Sequence, residues 1–137
     1  MAELPHWPDG TVAILATGAG APHAIPVSTA VRAGPRTLLL ALGQRRESLA
    51  RLREEPRCAL AIVAPGLAIT VHGHADVVND LGRVVAVRVD DDAIQDHMRP
   101  AFAIDAGVDW RWTDDAAQQA DADVRAALQA LVSPPRS

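Results

Sequence analysis

The stretch Thr37–Val63, TLLLALGQRRESLARLREEPRCALAIV, constrains this chain more than any other, because its hydrophobic period changes twice within one short segment. Thr37–Leu42 is an apolar run set between Pro35 and Gly43, and Cys58–Val63 is another closed by Pro65-Gly66; both have the length and punctuation of buried strands. Between them Leu49 and Leu52 stand three apart, flanked by Arg51, Arg53 and Glu54, the signature of a short amphipathic helix. Pro56 ends it, since the residue before a proline is driven out of the α region. Arg45, Arg46 and Ser48 sit where that helix begins, beside backbone N–H groups that lack intrahelical partners. The turn reads as an anion site in outline, against the plainer alternative of a solvated basic loop.

A chain of 137 residues, 49% hydrophobic, has the size of one domain with a real core. Its aromatics are only Trp7, Phe102, Trp110 and Trp112, so Ala, Val, Leu and Ile must build that core. With no Lys and no Tyr, lysine Schiff-base and tyrosine acid–base chemistry are excluded for a single chain. A net charge of −4 with dispersed carboxylates argues against nucleic acid as a partner. The one basic concentration, Arg45–Arg57, carries five Arg against three Glu, which suits a single small anion. One cysteine, Cys58 at the head of an apolar strand, forbids an internal disulfide and reads as a buried small hydrophobe. The opening MAELPHWPDG lacks a charged n-region and an apolar h-region, and no apolar run approaches the roughly 18 residues of a membrane span. A cytoplasmic protein without membrane contact is the expectation.

Residues 1–9, with two prolines, read as a loose lead-in or a short helical turn, and Gly10–Thr17 as the first strand. A Gly-rich turn, 18–22, then leads into a second strand, His23–Val31. There Ile25, Val27, Thr29 and Val31 share one face, while the small residues Ala24, Pro26, Ser28 and Ala30 share the other. Pro26 cannot donate to a ladder, so the strand is an edge, a bulge, or opposed by something other than a strand; small side chains there leave room for a flat ligand. Leu67–Val78 alternates over its whole length, an antiparallel strand with one wet face. His72, His74 and Asp76 project from that face, a spacing that could share a metal, but no further ligand lies in a spaced motif and no metal is expected.

Arg83–Val89 is a further strand, and the acids Asp90, Asp91 and Asp92 are placed to open a short helix, Ala93–Met98. Val108, Trp110 and Trp112 alternate as a late strand whose indoles suit a core lid or a subunit interface better than ligand stacking. Thr113 or Asp114 caps a last helix, Ala116–Val132, with Val124, Leu128 and Leu131 on one face, and Ser133–Ser137 is a frayed tail. The order of elements describes a mainly β, antiparallel small barrel of about six to seven strands with a short mid-chain helix and a C-terminal helix.

Three of these segments, in order, resemble the pyridoxamine 5′-phosphate oxidase-like, FMN-binding split-barrel family: ESLARLREEPRCAL, its helix and strand; Pro22-His23-Ala24-Ile25-Pro26-Val27, its second strand; and Val71-His72-Gly73-His74-Ala75-Asp76, its V-x-G-x-A strand. The resemblance spans roughly Gly10 to Val89. It implies a split barrel that forms a homodimer with FMN at the interface, the phosphate held by Arg45, Arg46 and Ser48 and the ring lined by Ile25, Pro26, Val27, Ser28, Thr29, Leu40, Ala41 and Leu42. Where many relatives read S-R-K ahead of the helix, this chain has Arg46, Glu47 and Ser48, so an acid replaces a base and Arg45 and Arg46 must compensate. The substrate residues of the true oxidase have no counterpart. The implied activity is therefore an FMN-dependent oxidoreductase acting on an unassigned small molecule. The alternatives are a deazaflavin-dependent reductase of the same fold, a flavin- or haem-binding protein without turnover, and a ligand-free structural dimer. No catalytic side chain is named; His72 and His74 titrate nearest neutrality without a reaction to assign them.

Overall fold

A computed structural model describes residues 1–132. Seven strands and two helices follow one another as β1 (Ala13–Thr17), β2 (His23–Val27), β3 (Val31–Arg32), β4 (Thr37–Gly43), α1 (Glu47–Glu54), β5 (Arg57–Ala64), β6 (Leu67–Asp80), β7 (Val84–Asp96) and α2 (Asp115–Ala130). One antiparallel sheet holds all seven strands in the order β2-β1-β5-β6-β7-β4-β3. The mainly β architecture with a mid-chain and a C-terminal helix is thus the one the sequence predicts. The expected tail, Ser133–Ser137, lies outside the described residues.

The sheet curls around its core. Leu15, Leu38, Leu40, Leu60, Ile62 and Val71 fill the concave side, and Leu49 and Leu52 of α1 seal it, the two leucines whose spacing defines the helix. A smaller cluster lies on the opposite face, where Leu128 of α2 packs on Val31, Leu39 and Ala86. β4 is therefore buried on both sides, which explains why its sequence is a continuous apolar run instead of an alternating one. β6 keeps its alternation from Leu67 to Ala75 and loses it beyond, where the strand extends past the core.

Four expectations are corrected. Residues 93–98 do not form a helix: β7 continues through Asp96. The acid run instead builds a bulge, in which Gly73 faces Asp91 and His72 faces Ala93, leaving Asp92 as the extra residue. Only glycine fits opposite it, because a Cβ at Gly73 would lie 2.3 Å from the Asp90 carbonyl oxygen. The acids are engaged separately: Asp90 accepts from the Thr37 hydroxyl at 2.9 Å, Asp91 pairs with Arg36 at 2.9 Å, and Asp92 lies 3.3 Å from His74.

Second, Val108, Trp110 and Trp112 are not a strand but part of a strap without regular structure, tied by Gly66 N–H to the Ile104 carbonyl and by the Trp110 indole to the Gly10 carbonyl. Their indoles meet edge to face, with ring centroids 5.3 Å apart, outside the main core. Third, residues 1–9 are docked. Leu4 is buried, its N–H donates to the Pro35 carbonyl, its carbonyl accepts from Arg32, and the Trp7 indole donates to the Ala30 carbonyl. Fourth, the second strand stops at Val27, and Val31 restarts as β3.

Candidate functional site

Among the described residues β2 pairs only with β1, and β4 beyond Leu39 has β7 on one side and no strand on the other. The sheet is split between these two edges, and Thr29 spans the gap: its hydroxyl accepts from the Ala41 N–H at 3.0 Å. A cleft of ≈ 620 Å³ opens there, lined by Pro26–Thr29 from the β2 side and Ala41–Gly43 from β4. α2 walls it with Ala117, Ala120 and Val124, and Trp112 closes the strap side. Pro26, with no N–H to offer, thus borders a cavity instead of a strand.

The basic turn lies at one end of this cleft. α1 has no side-chain cap at Arg46, and its first hydrogen bonds run from Leu49 and Ala50 back to the Arg46 carbonyl, so the earliest N–H groups are open. Gly43 lets Arg46 fold back over β4, since a Cβ there would meet the Arg46 Cγ at 3.2 Å. Arg46 lines the cleft, whereas Arg45 lines an adjoining cup of ≈ 580 Å³ that also includes Arg46 and Arg83. Among the described residues none of these three guanidinium groups has an ion pair or a side-chain hydrogen bond.

Glu47 turns away from the cleft toward β2 and α1, with oxygens 3.4 Å from His23 Nδ1 and 3.6 Å from Arg51. Its charge is therefore partly compensated locally. Ser48, only 1% exposed, meets His23 Nε2 at 3.0 Å. It fastens α1 to β2 and does not reach the cleft. Arg51 ties the β1–β2 hairpin to α1 through the Ala19 and Ala21 carbonyls.

Of the ring and phosphate residues implied by the resemblance, Pro26, Val27, Ser28, Thr29, Ala41, Leu42 and Arg46 converge on the cleft. Leu40 does not: its side chain is sealed in the main core, because alternation sends Leu38, Leu40 and Leu42 inward. Ile25 packs against that same core. Residue-by-residue reading missed Arg83 and the α2 wall; the Gly82 turn places Arg83 at a hairpin, but nothing local says which other turn it meets.

The wet face of β6 binds its own neighbours. His72 Nε2 lies 2.7 Å from Gln95 Oε1, and His97 Nε2 lies 2.7 Å from the Thr70 hydroxyl. Among the described residues no three His, Cys, Asp or Glu side chains gather as a metal cage. Cys58 is buried, and that burial, reinforced by the Asp92 carboxylate, pushes its thiol up to about 11, so it is protonated and unreactive near neutrality. No helix among the described residues is long and apolar enough to cross a membrane.

The curled antiparallel sheet, split at β2 and β4 with a short helix at its end, is the pyridoxamine 5′-phosphate oxidase-like split-barrel fold. The chain is similar in structure to a Listeria innocua protein named as a candidate pyridoxamine 5′-phosphate oxidase, at 17% identity and TM-score 0.55 over 64% of this chain and 88% of that one. It is also similar to BorF, the flavin reductase component of a bacterial two-component tryptophan halogenase, at 14% identity and TM-score 0.57 over 66% and 81%. A haem-binding protein from Mycobacterium smegmatis shares the fold at 19% identity and TM-score 0.54, over 63% of this chain and 48% of that one. No sequence-family model matches the chain, and no curated protein matches its sequence.

Proposed function

We propose that the protein binds a phosphorylated flavin, FMN, with the ring in the β2–β4 cleft and the phosphate at the turn into α1, and that it serves as a flavin-dependent oxidoreductase. The observation that carries this reading is the junction of a mostly apolar cleft, whose α2 wall also carries Asp121 and Asp123, with guanidinium groups that have no ion pair among the described residues and an uncapped helix N-terminus. The cleft volume falls within the range of about 300–1,000 Å³ usual for small-molecule sites. Arg46 supplies a charge-assisted hydrogen bond to the phosphate, Pro26–Thr29 and Ala41–Leu42 border the ring, and α2 keeps water from one side. Bound flavin supplies the electron-transfer chemistry; the chain positions it and shapes what can approach.

A homodimer with the cofactor at the subunit boundary belongs to this reading, supported by the exposed apolar side chains Ile14 and Val63 on the outer face of β1 and β5. Deazaflavin would use the same cleft and turn. Haem fits less well: the described residues lining the cleft include no His, Cys, Met or Tyr to ligate iron.

The visible spectrum of the purified protein, followed by titration with FMN, deazaflavin and haem, tests the proposal. Flavin absorption, or quenching of FMN fluorescence at micromolar protein, is expected. A colourless protein that binds neither flavin nor deazaflavin, or one that instead develops a Soret band with haem, refutes it. Sedimentation velocity with and without FMN checks the dimer.

A further inference from the structure

The cup beyond the cleft is more elaborate than a single phosphate requires. Its walls are the β4–α1 turn, carrying Arg45 and Arg46, and the β6–β7 hairpin, carrying Arg83. Gln44 joins these two turns. Its N–H donates to the Arg83 carbonyl at 3.1 Å, and its amide Nε2 donates to Asp80 Oδ1 at 2.9 Å and to the Gly82 carbonyl. Asp80 Oδ1 also accepts from the Gly82 N–H at 2.8 Å, and Leu81 N–H donates to the Val84 carbonyl at 2.9 Å. Three arginines from two distant turns are thus held around one cavity by backbone and amide bonds, and among the described residues no guanidinium of the three has an ion pair or side-chain hydrogen bond. Among the described residues no carboxylate side chain lines the cup. Like charges gathered without a partner repel, so the arrangement gains from an anion placed between them.

The cup and the cleft share Gly43, Arg46 and Arg83, so a ligand whose first phosphate meets Arg46 continues directly into the cup. Planar guanidinium forks match phosphoryl oxygens bidentately. We infer that the cup formed by Arg45, Arg46 and Arg83 receives a second phosphoryl group, so that the ligand of this protein is a diphosphate-bearing compound and FMN fills the site only in part. This inference rests on the flavin reading for the ring, but not for the anion cup itself.

Two measurements test it on the full chain. In the first, the ligand-free protein is titrated with inorganic phosphate and with pyrophosphate at constant ionic strength and followed by thermal unfolding. Pyrophosphate is expected to raise Tm more than phosphate, and Arg83→Ala or Arg45→Ala to abolish the difference. In the second, FMN and FAD affinities are compared. FAD is expected to bind the wild type more tightly, and Arg83→Ala, at a residue that borders both cavities, to weaken FAD about five- to tenfold more than it weakens FMN. Equal pyrophosphate and phosphate shifts, or equal losses for FMN and FAD in Arg83→Ala, overturn the cup. If neither flavin binds but the pyrophosphate shift is present and arginine-dependent, the flavin reading fails and the cup stands. All three arginines are exposed, so the variants are expected to fold; far-UV circular dichroism checks this.

Discussion

Replacing Leu128 with alanine tests whether the cleft is walled by a separately stable helix. Leu128 is the only described residue of α2 that is fully buried, at 0% exposure, and it packs on Val31, Leu39 and Ala86 in a cluster separate from the main core. A Leu→Ala change in a core costs about 2–5 kcal/mol, and a small cluster at the edge of a sheet can partly collapse, which places this one near about 2–3 kcal/mol. α2 has few other ties to the sheet among the described residues: Val124 packs at the edge of the same cluster, and Arg125, paired within the helix to Asp121 at 2.7 Å, donates to the Ser28 carbonyl at 3.0 Å. An isolated helix of this length is marginal in water, so an undocked α2 frays. Hydrogen exchange in Leu128→Ala should therefore accelerate across α2 by about 30- to 150-fold, while amides of β5 and β6 keep their protection. FMN affinity should fall with it, because Ala117, Ala120 and Val124 no longer wall the cleft. Equal acceleration in α2 and in β5–β6 would refute the reasoning by making the helix part of one cooperative unit; unchanged exchange in α2 would show that Leu128 is not its anchor.

Arg46→Ala should weaken FMN binding by about 1.5–3 kcal/mol, roughly ten- to 150-fold by fluorescence titration, and unchanged affinity in both this variant and Arg45→Ala would remove the phosphate clamp. Gly73→Ala should destabilise the fold by about 2–3 kcal/mol in urea unfolding, because the added methyl collides with the Asp90 carbonyl; a loss below about 0.5 kcal/mol would mean that the bulge is not rigid. Cys58 should resist thiol reagents at pH 8 until the protein is denatured. Because folding raises its pKa from 9.0 to about 11, the unfolded chain gives up that proton first. Its contribution to stability should hold below about pH 9 and decline as pH rises toward 11, a trend that Cys58→Ala should remove from the pH dependence of unfolding.

Local pattern sufficed where one period met one environment. The leucines of α1, the stop at Pro56 and the alternation of β6 each follow from which side faces the core, and all are legible in the residues. It failed where the environment was decided elsewhere. Asp90–Asp92 look like a helix start, yet their partners are Thr37, Arg36 and His74, far away in the chain, and pairing along β6 extends the strand through them. Trp110 and Trp112 alternate like a strand, but among the described residues no sheet edge is paired with them, and their contacts are to each other, to Gly10 and to the cleft. Leu40 is a ring contact only by the family resemblance, and the pleat turns it into the core.

The amino-acid order by itself determined a mostly β chain, its mid-chain helix, the basic turn at Arg45 and Arg46, and the interrupted pairing at Pro26, because each depends on neighbours within a few residues. Only the tertiary structure decided that β2 and β4 stand apart as the two sides of one cleft, that α2 walls it, and that Arg83 joins the basic turn. Those depend on which distant segments share hydrogen bonds, and a guanidinium at a hairpin carries no local mark of the turn that Gln44 will hold against it.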